Sequence, residues 1–204
     1  MIRTFIAFDI DENTRNECMN LTYKGKSIYH KEINWVEPQN LHFTYLFLGD
    51  IVPSDKQSVI NLISEVAQKT PILHLKQGQL RWNPPFKPHC LWIEYIISQH
   101  NNLNKDGSNF DFSNIRKRFI YDLKQELTYL EFDKRDFKFH LTLGRVKSKE
   151  IKSLNIAKWT LNEESIETEI YLQNISLYQS ILYPQGPVYK NLATFPLQNN
   201  TGGF

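Results

Sequence analysis

The sequence predicts an α+β fold made of antiparallel sheet, on three observations. Strand-like and helix-like segments follow one another as β-α-β-α-β-β, loop, α-β-α-β-β, without the regular βαβ repetition of a parallel doubly wound sheet. Pro, Gly and Asn clusters punctuate the chain at short intervals, as hairpins and short connections require. A short pattern, His-x-Thr, occurs once in each half, at His42–Thr44 and His140–Thr142, each time inside an apolar strand candidate. Its recurrence suggests an internal duplication: two pseudo-symmetric lobes of antiparallel sheet with flanking helices around a central cleft.

The elements read in order as follows. Arg3–Asp9 is rich in β-branched and aromatic residues and reads as a strand. Asp11 to about Lys24 reads as a helix with a thin apolar stripe. Leu41–Leu48 (LHFTYLFL) is a strand, broken by Gly49, Asp50 and Pro53. Ser54–Lys69 carries Val59, Ile60, Ile63, Val66 and Ala67 at helical spacing. Ile72–Leu80 and Cys90–Ile97 form a strand pair joined by the proline-rich loop Trp82–Pro88. Ser98–Asn114, rich in Asn around Lys105-Asp106-Gly107, reads as a surface loop. Ile115, Phe119, Leu123 and Leu127 restore the helical period. Phe139–Val146 is a strand, Ser148–Leu154 a short helix, Glu169–Leu182 one long or two short strands, and Tyr189–Leu197 the last strand. Residues 1–197 then form a single bilobal domain, with 198–204 as a flexible tail.

Composition narrows the function classes. The 204 residues are 41% hydrophobic and 23% charged, which supports a sizeable core and excludes wholesale disorder. A net charge of +2 does not favour a protein that grips long duplexes by phosphate neutralisation alone. Cys18 and Cys90 fit no metal or redox spacing and read as buried free thiols of a reducing compartment. The N-terminus turns acidic at Asp9 and Asp11, too early for a signal peptide, and no apolar run approaches membrane-spanning length. A soluble cytoplasmic protein without membrane contact, metal or cofactor is the expectation.

In a strand, side chains alternate faces, so His and Thr two apart point the same way while the residue between them packs. Each half therefore offers an imidazole and a hydroxyl side by side. His42, Thr44, His140 and Thr142 together suit phosphodiester cleavage without metal. One imidazole takes a proton from water and the other gives one to the leaving oxygen, since histidine titrates near neutrality. The hydroxyls donate to phosphoryl oxygens as charge builds. A single His-x-Thr arises often by chance, and most strand histidines are structural; only the duplication argues otherwise. Arg116-Lys117-Arg118 reads as a solvated helix face rather than an RNA contact. Trp35, Tyr45 and Phe137 flank the motifs as candidate base-stacking rings, with core packing the better reading for Tyr45. His30, His74, His89 and His100 share no motif.

Longer blocks carry a resemblance. Ile2–Ile10 (IRTFIAFDI), Asn34–Asp50 (NWVEPQNLHFTYLFLGD), Arg135–Val146 (RDFKFHLTLGRV) and Leu177–Leu197, with Gly186-Pro187-Val188-Tyr189 and Phe195-Pro196-Leu197, resemble in order the two-histidine phosphoesterase superfamily. Within it they are most similar to the RNA 2′,3′-cyclic phosphodiesterases, also called 2′-5′ RNA ligases. The resemblance implies a bilobal fold and metal-free opening of a terminal 2′,3′-cyclic phosphate to a 2′-phosphate, with ligation as the reverse reaction. It implies His42 as proton donor to the departing 3′ oxygen, His140 as the base that activates water, and Thr44 and Thr142 as phosphoryl holders. Arg145 is a phosphate contact or a structural ion pair, and Arg135 a weaker candidate of the same kind. The implied partners are RNA ends bearing a cyclic phosphate, tRNA fragments among them, or small cyclic nucleotides; a monomer is the default expectation. The chain departs from the family pattern at Asn34, Leu46, Asp136 and Phe139, which bears on substrate preference and leaves the His and Thr pairs intact. Two alternatives stay open: an enzyme of small cyclic nucleotides or 2′-5′ oligonucleotides, and a nucleotide- or RNA-binding module with little catalysis.

Overall fold

A computed structural model describes residues 1–98, 110–132, 137–151, 154–159, 165–166 and 169–199. Arg135, His100 and most of the Asn-rich Ser98–Asn114 segment lie outside the described residues.

The strands are β1 (Ile2–Phe8), β2 (Ile33–Trp35), β3 (Phe43–Ile51), β4 (Leu73–Asn83), β5 (Cys90–Ile97), β6 (Phe139–Val146), β7 (Ser165–Ile166), β8 (Ile170–Leu172), β9 (Asn174–Tyr183) and β10 (Gly186–Pro196). They form one sheet in the order β10-β9-β1-β3-β6-β5-β4-β7, with β8 also on β4 and β2 on β6. Every pairing between these strands is antiparallel. The expected α+β class holds, and the two halves are joined as a continuous sheet. On either side of the β3–β6 seam the order mirrors itself: β1, β9 and β10 on one flank, β5, β4 and the β7/β8 edge on the other.

The seam is short. Phe43 opposite Leu141 is its one ladder pair, and both side chains are fully buried. Beyond it β2 takes over the same edge of β6, pairing Ile33 with Val146 and Trp35 with Gly144. From Ile33 to Phe43 the chain advances ten residues while β6 runs back only five, from Val146 to Leu141. A 3₁₀ turn at Pro38–Asn40 absorbs the excess, and His42 follows it. Neither β2 nor this turn is legible in the sequence, because a three-residue strand carries no usable period.

The helices are α1 (Glu12–Ile28), α2 (Lys56–Lys69) and α3 (Phe112–Glu126). Asp11 caps α1 by accepting from the Thr14 amide at 2.7 Å, and Asp111 caps α3 by accepting from Asn114 at 2.9 Å. Each of α1 and α3 crosses to the opposite half. α1 follows β1 but packs on the second half, with Tyr29 edge-on to Trp82 and Gly25 against Trp35, where a Cβ would come within 2.2 Å of the indole. α3 follows β5 but packs on the first half, its Phe112 and Phe119 against Tyr45. This exchange buries the face bearing Phe43 and Leu141 and leaves the other face to the histidines.

Three expectations change in detail. α3 begins at Phe112, inside the segment read as a loop, because Asp111 supplies a cap. Within Ser148–Leu154 the described residues form a 3₁₀ turn at Ser148–Glu150. The C-terminal segment is tied down past Leu197, since Gln198 donates its amide to the Thr70 carbonyl and accepts from Ile72.

Truncating the seam tests its weight. Leu141→Ala removes a fully buried side chain with no room to collapse, so unfolding in urea should show a loss of about 2–5 kcal/mol. A loss well under 1 kcal/mol contradicts a packed seam.

Candidate active site

His42 and Thr44 flank Phe43, and His140 and Thr142 flank Leu141. Because Phe43 and Leu141 face each other in antiparallel strands, His42 lies beside Thr142 and Thr44 beside His140. The four residues named from the sequence come together, all half-buried, on the face opposite the helices.

Both imidazoles are anchored in the same way. His42 Nδ1 lies 2.7 Å from the carbonyl of Asn40, and His140 Nδ1 lies 3.0 Å from the carbonyl of Lys138, in each case two residues upstream. A carbonyl accepts only, so Nδ1 carries the hydrogen and Nε2 carries the lone pair in the neutral rings. His42 Nε2 lies 3.0 Å from Thr44 Oγ1, whose hydroxyl donates to it. His140 Nε2 makes no hydrogen bond among the described residues.

Arg145 reaches the same face through a β-bulge. Strict alternation puts residue 145 opposite to 140 and 142. In the β5–β6 ladder, however, Glu94 faces His140, Trp92 faces Thr142 and Cys90 faces Arg145, with a register shift between Leu91 and Trp92. The even-numbered residues of β5 share a face, so the extra residue on β6 turns Arg145 towards the histidines. There it makes no ion pair with a described residue, and its charge is felt by His42, His140 and Tyr189. β3 carries a matching irregularity: Thr44 pairs with Ala7 and Phe47 with Phe5, again two against three. Phe47 thus holds the position equivalent to Arg145, with its ring 62% exposed.

Other neighbours carry no signal in the sequence. The Phe5 ring lies 4.8 Å from the His42 ring, and Tyr189 packs edge-on at 5.4 Å. Trp92 tilts against His140 at 4.3 Å. Asn40 donates its side-chain amide to the Pro187 carbonyl at 2.9 Å, bracing the turn before His42 against β10. Conversely, the flanking aromatics noted from sequence lie elsewhere. Tyr45 is buried among Phe8, Phe112 and Phe119; Phe137 packs on Phe112 and Phe139; Trp35 lies against Gly25. Arg116 lies over Phe137 and Arg118 pairs with Asp122, on the helix-covered side. His74 is buried against Glu169 and Tyr171 at the far edge. Among the described residues no three of His, Cys, Asp and Glu gather as a metal ligand set, and no helix is long and apolar enough to cross a membrane.

Burial depresses both histidines. His42 falls from 6.5 to about 4, chiefly by desolvation, opposed by the Asn40 hydrogen bond and deepened by the charges of His140 and Arg145. His140 is also lowered by burial, but the Lys138 carbonyl and the Glu94 carboxylate oppose the shift.

A family model described as LigT-like phosphoesterase matches residues 9–77 and 116–189, which contain both His-x-Thr motifs. The chain belongs to the LigT-like phosphoesterase family. Its relatives include the protein named RNA 2′,3′-cyclic phosphodiesterase of Archaeoglobus fulgidus, 30% identical over 95% of this chain and 99% of that one. The protein of the same name from Aquifex aeolicus is 29% identical over 97% and 98%. Among solved structures, TT0787 of Thermus thermophilus superposes with a TM-score of 0.77 at 20% identity, covering 97% of this chain and 99% of that one. Escherichia coli LigT, in a structure complexed with 3′-AMP, gives 0.67 at 17% identity over 97% and 99%. As a LigT-like phosphoesterase, the chain is an enzyme of phosphoester bonds, and its family match spans the two strands that meet at the seam.

The depressed histidines make stability depend on pH. An unfolded chain takes up these protons near 6.5, whereas folded His42 takes one only near 4. Protonation therefore favours the unfolded chain as pH falls. The melting temperature should drop progressively between pH 6.5 and about 4, and His42→Ala should shrink that drop. A pH-independent melting temperature across that window contradicts the buried neutral imidazoles.

Proposed function

We propose that this LigT-like phosphoesterase opens the 2′,3′-cyclic phosphate at an RNA end, leaving a 3′-hydroxyl and a 2′-phosphate, with His42 and His140 as acid and base. The observation that carries the reading is the matched pair of Nδ1–carbonyl anchors, which puts both Nε2 lone pairs on the same sheet face across one seam, that of His42 met by the Thr44 hydroxyl. The names of the curated relatives support the substrate class.

Water attacks phosphorus while His140 Nε2 takes its proton. The bond from phosphorus to the 3′ oxygen breaks as protonated His42 Nε2 delivers a proton to that oxygen. Thr44 and Thr142 hydroxyls and the Arg145 guanidinium donate to the non-bridging oxygens. Thr44 leaves His42 Nε2 for the phosphate when that nitrogen gains its proton. The lower pKa of His42 makes it the stronger acid, and Glu94 beside His140 keeps that ring the stronger base. The productive proton distribution is the minor one in the free protein, and the anionic phosphate raises its share on binding. With a 5′-hydroxyl in place of water the same steps form a 2′-5′ linkage, so ligation is the same displacement with a different nucleophile. Phe47, exposed where the other half carries Arg145, stacks on the terminal base, an interaction worth ~1–3 kcal/mol. Residues 1–197 act as a single unit, because both halves of the site come from one chain, so a monomer carries a complete site.

Hydrolysis of a short RNA ending in a 2′,3′-cyclic phosphate, assayed in EDTA, tests this. His42→Ala and His140→Ala should each lower kcat by about 10²–10⁴-fold, and Thr44→Ala or Thr142→Ala by about 10²-fold. Phe47→Ala should raise KM about 10-fold with kcat little changed. Activity surviving both histidine substitutions overturns the site. Equal rates on a cyclic mononucleotide and on RNA make it a small-molecule phosphoesterase. Nucleotide binding without turnover makes it a binding module.

A further inference from the structure

The two halves of the site differ in their carboxylates. On β5, Glu94 stands directly opposite His140. Just past the end of β1 the equivalent position is Asp9, one residue beyond the Phe8–Phe43 pair and so level with His42. Both Asp9 oxygens are taken by β9: Ser176 Oγ donates to one at 2.7 Å and Tyr178 Oη to the other at 2.5 Å. The charges of His140 and Arg145 both disfavour a proton on His42. Glu94 is bound differently. Lys138 Nζ donates to one of its oxygens at 2.9 Å, and Arg81 Nε lies 3.8 Å from the other. Lys138 is also the residue whose carbonyl anchors His140 Nδ1. A carboxylate here weakens the pull of the site on an anionic phosphate, so its presence calls for a compensating role.

We propose that Glu94 is a positioning residue for His140, pinning Lys138 so that its carbonyl holds the ring and presenting to the imidazole a negative charge that His42 lacks. The consequence is an order of protonation built into a nearly symmetric site: the proton resides on His140 first and on His42 second. The charged and titratable groups around His140 are Glu94 on β5, Arg81 behind it on β4, Lys138 and Arg145 on its own flanks, and His42 across the seam. Of these charges, Glu94 alone favours the imidazolium, alongside the Lys138 carbonyl; the Arg145 and Lys138 cations oppose it. Two interacting sites titrate as a pair, so the upper limb of a bell-shaped kcat/KM profile follows the site that protonates first, here His140. The proposal rests on the functional reading above only in its kinetic consequence.

The test joins a pH–rate profile on the cyclic-phosphate RNA with ¹⁵N-imidazole NMR titration of the same full-length proteins. Glu94→Gln should move the His140 midpoint and the upper limb of kcat/KM to lower pH, leaving the His42 midpoint in place. Arg81→Met, which keeps the Lys138–Glu94 contact but removes a cation beside the carboxylate, should move the His140 midpoint to higher pH. A merely structural role for Glu94 would lower activity without moving either limb. An unchanged His140 midpoint in Glu94→Gln overturns the proposal. If Glu94→Gln fails to fold, an unchanged midpoint in Arg81→Met overturns it instead. Wild-type protein inactive on cyclic phosphates sinks the functional reading alone, because the NMR titration still decides the role of Glu94.

Discussion

The site depends on one contact, the pairing of Phe43 with Leu141 at the seam between β3 and β6. Each side chain is fully buried beneath the helices, and pleating turns its two neighbours to the other face. One apolar pair thereby fixes four polar residues. The sheet repeats on either flank in mirrored order, and the helices α1 and α3 cross to the opposite half, so loosening the seam would separate two motifs that no other ladder pair holds side by side.

Around that seam, local irregularities do the fine positioning. The turn at Pro38–Asn40 takes up five surplus residues and ends with the carbonyl that fixes the His42 tautomer. The β6 bulge reverses the parity of Arg145, and the β3 irregularity does the same for Phe47. Two strands of similar pattern thus offer a cation on one side and an exposed ring on the other. The rings of Phe5, Tyr189 and Trp92 crowd the imidazoles, and the resulting desolvation disfavours the charged form of each.

What the chain makes legible follows from how local the signal is. The helices around Val59–Ala67 and Ile115–Leu127 repeat at 3.6 residues, and the strands around Phe43 and Leu141 alternate, so one segment suffices to read them. The shared face of His and Thr is equally local. Arg145 could be named from the family motif, yet its face depends on a bulge visible only against β5. Glu94 and Phe47 owe their meaning to cross-strand partners some 40 residues away in sequence, and alternation within their own strands says nothing of which partner that is. Proximity along the chain misled in the case of Phe137 and Trp35, which flank the motifs but pack into the core side because odd and even positions part at each strand.

The central claim is that two motifs, brought together at one seam, act on one phosphorus atom. A crystal structure of the protein with a nucleoside 2′-phosphate, the product of the proposed reaction, tests it directly. The phosphate should lie between the Nε2 atoms of His42 and His140, its oxygens accepting from Thr44 and Thr142. A phosphate bound to one histidine alone, or held away from the β3–β6 seam, contradicts it.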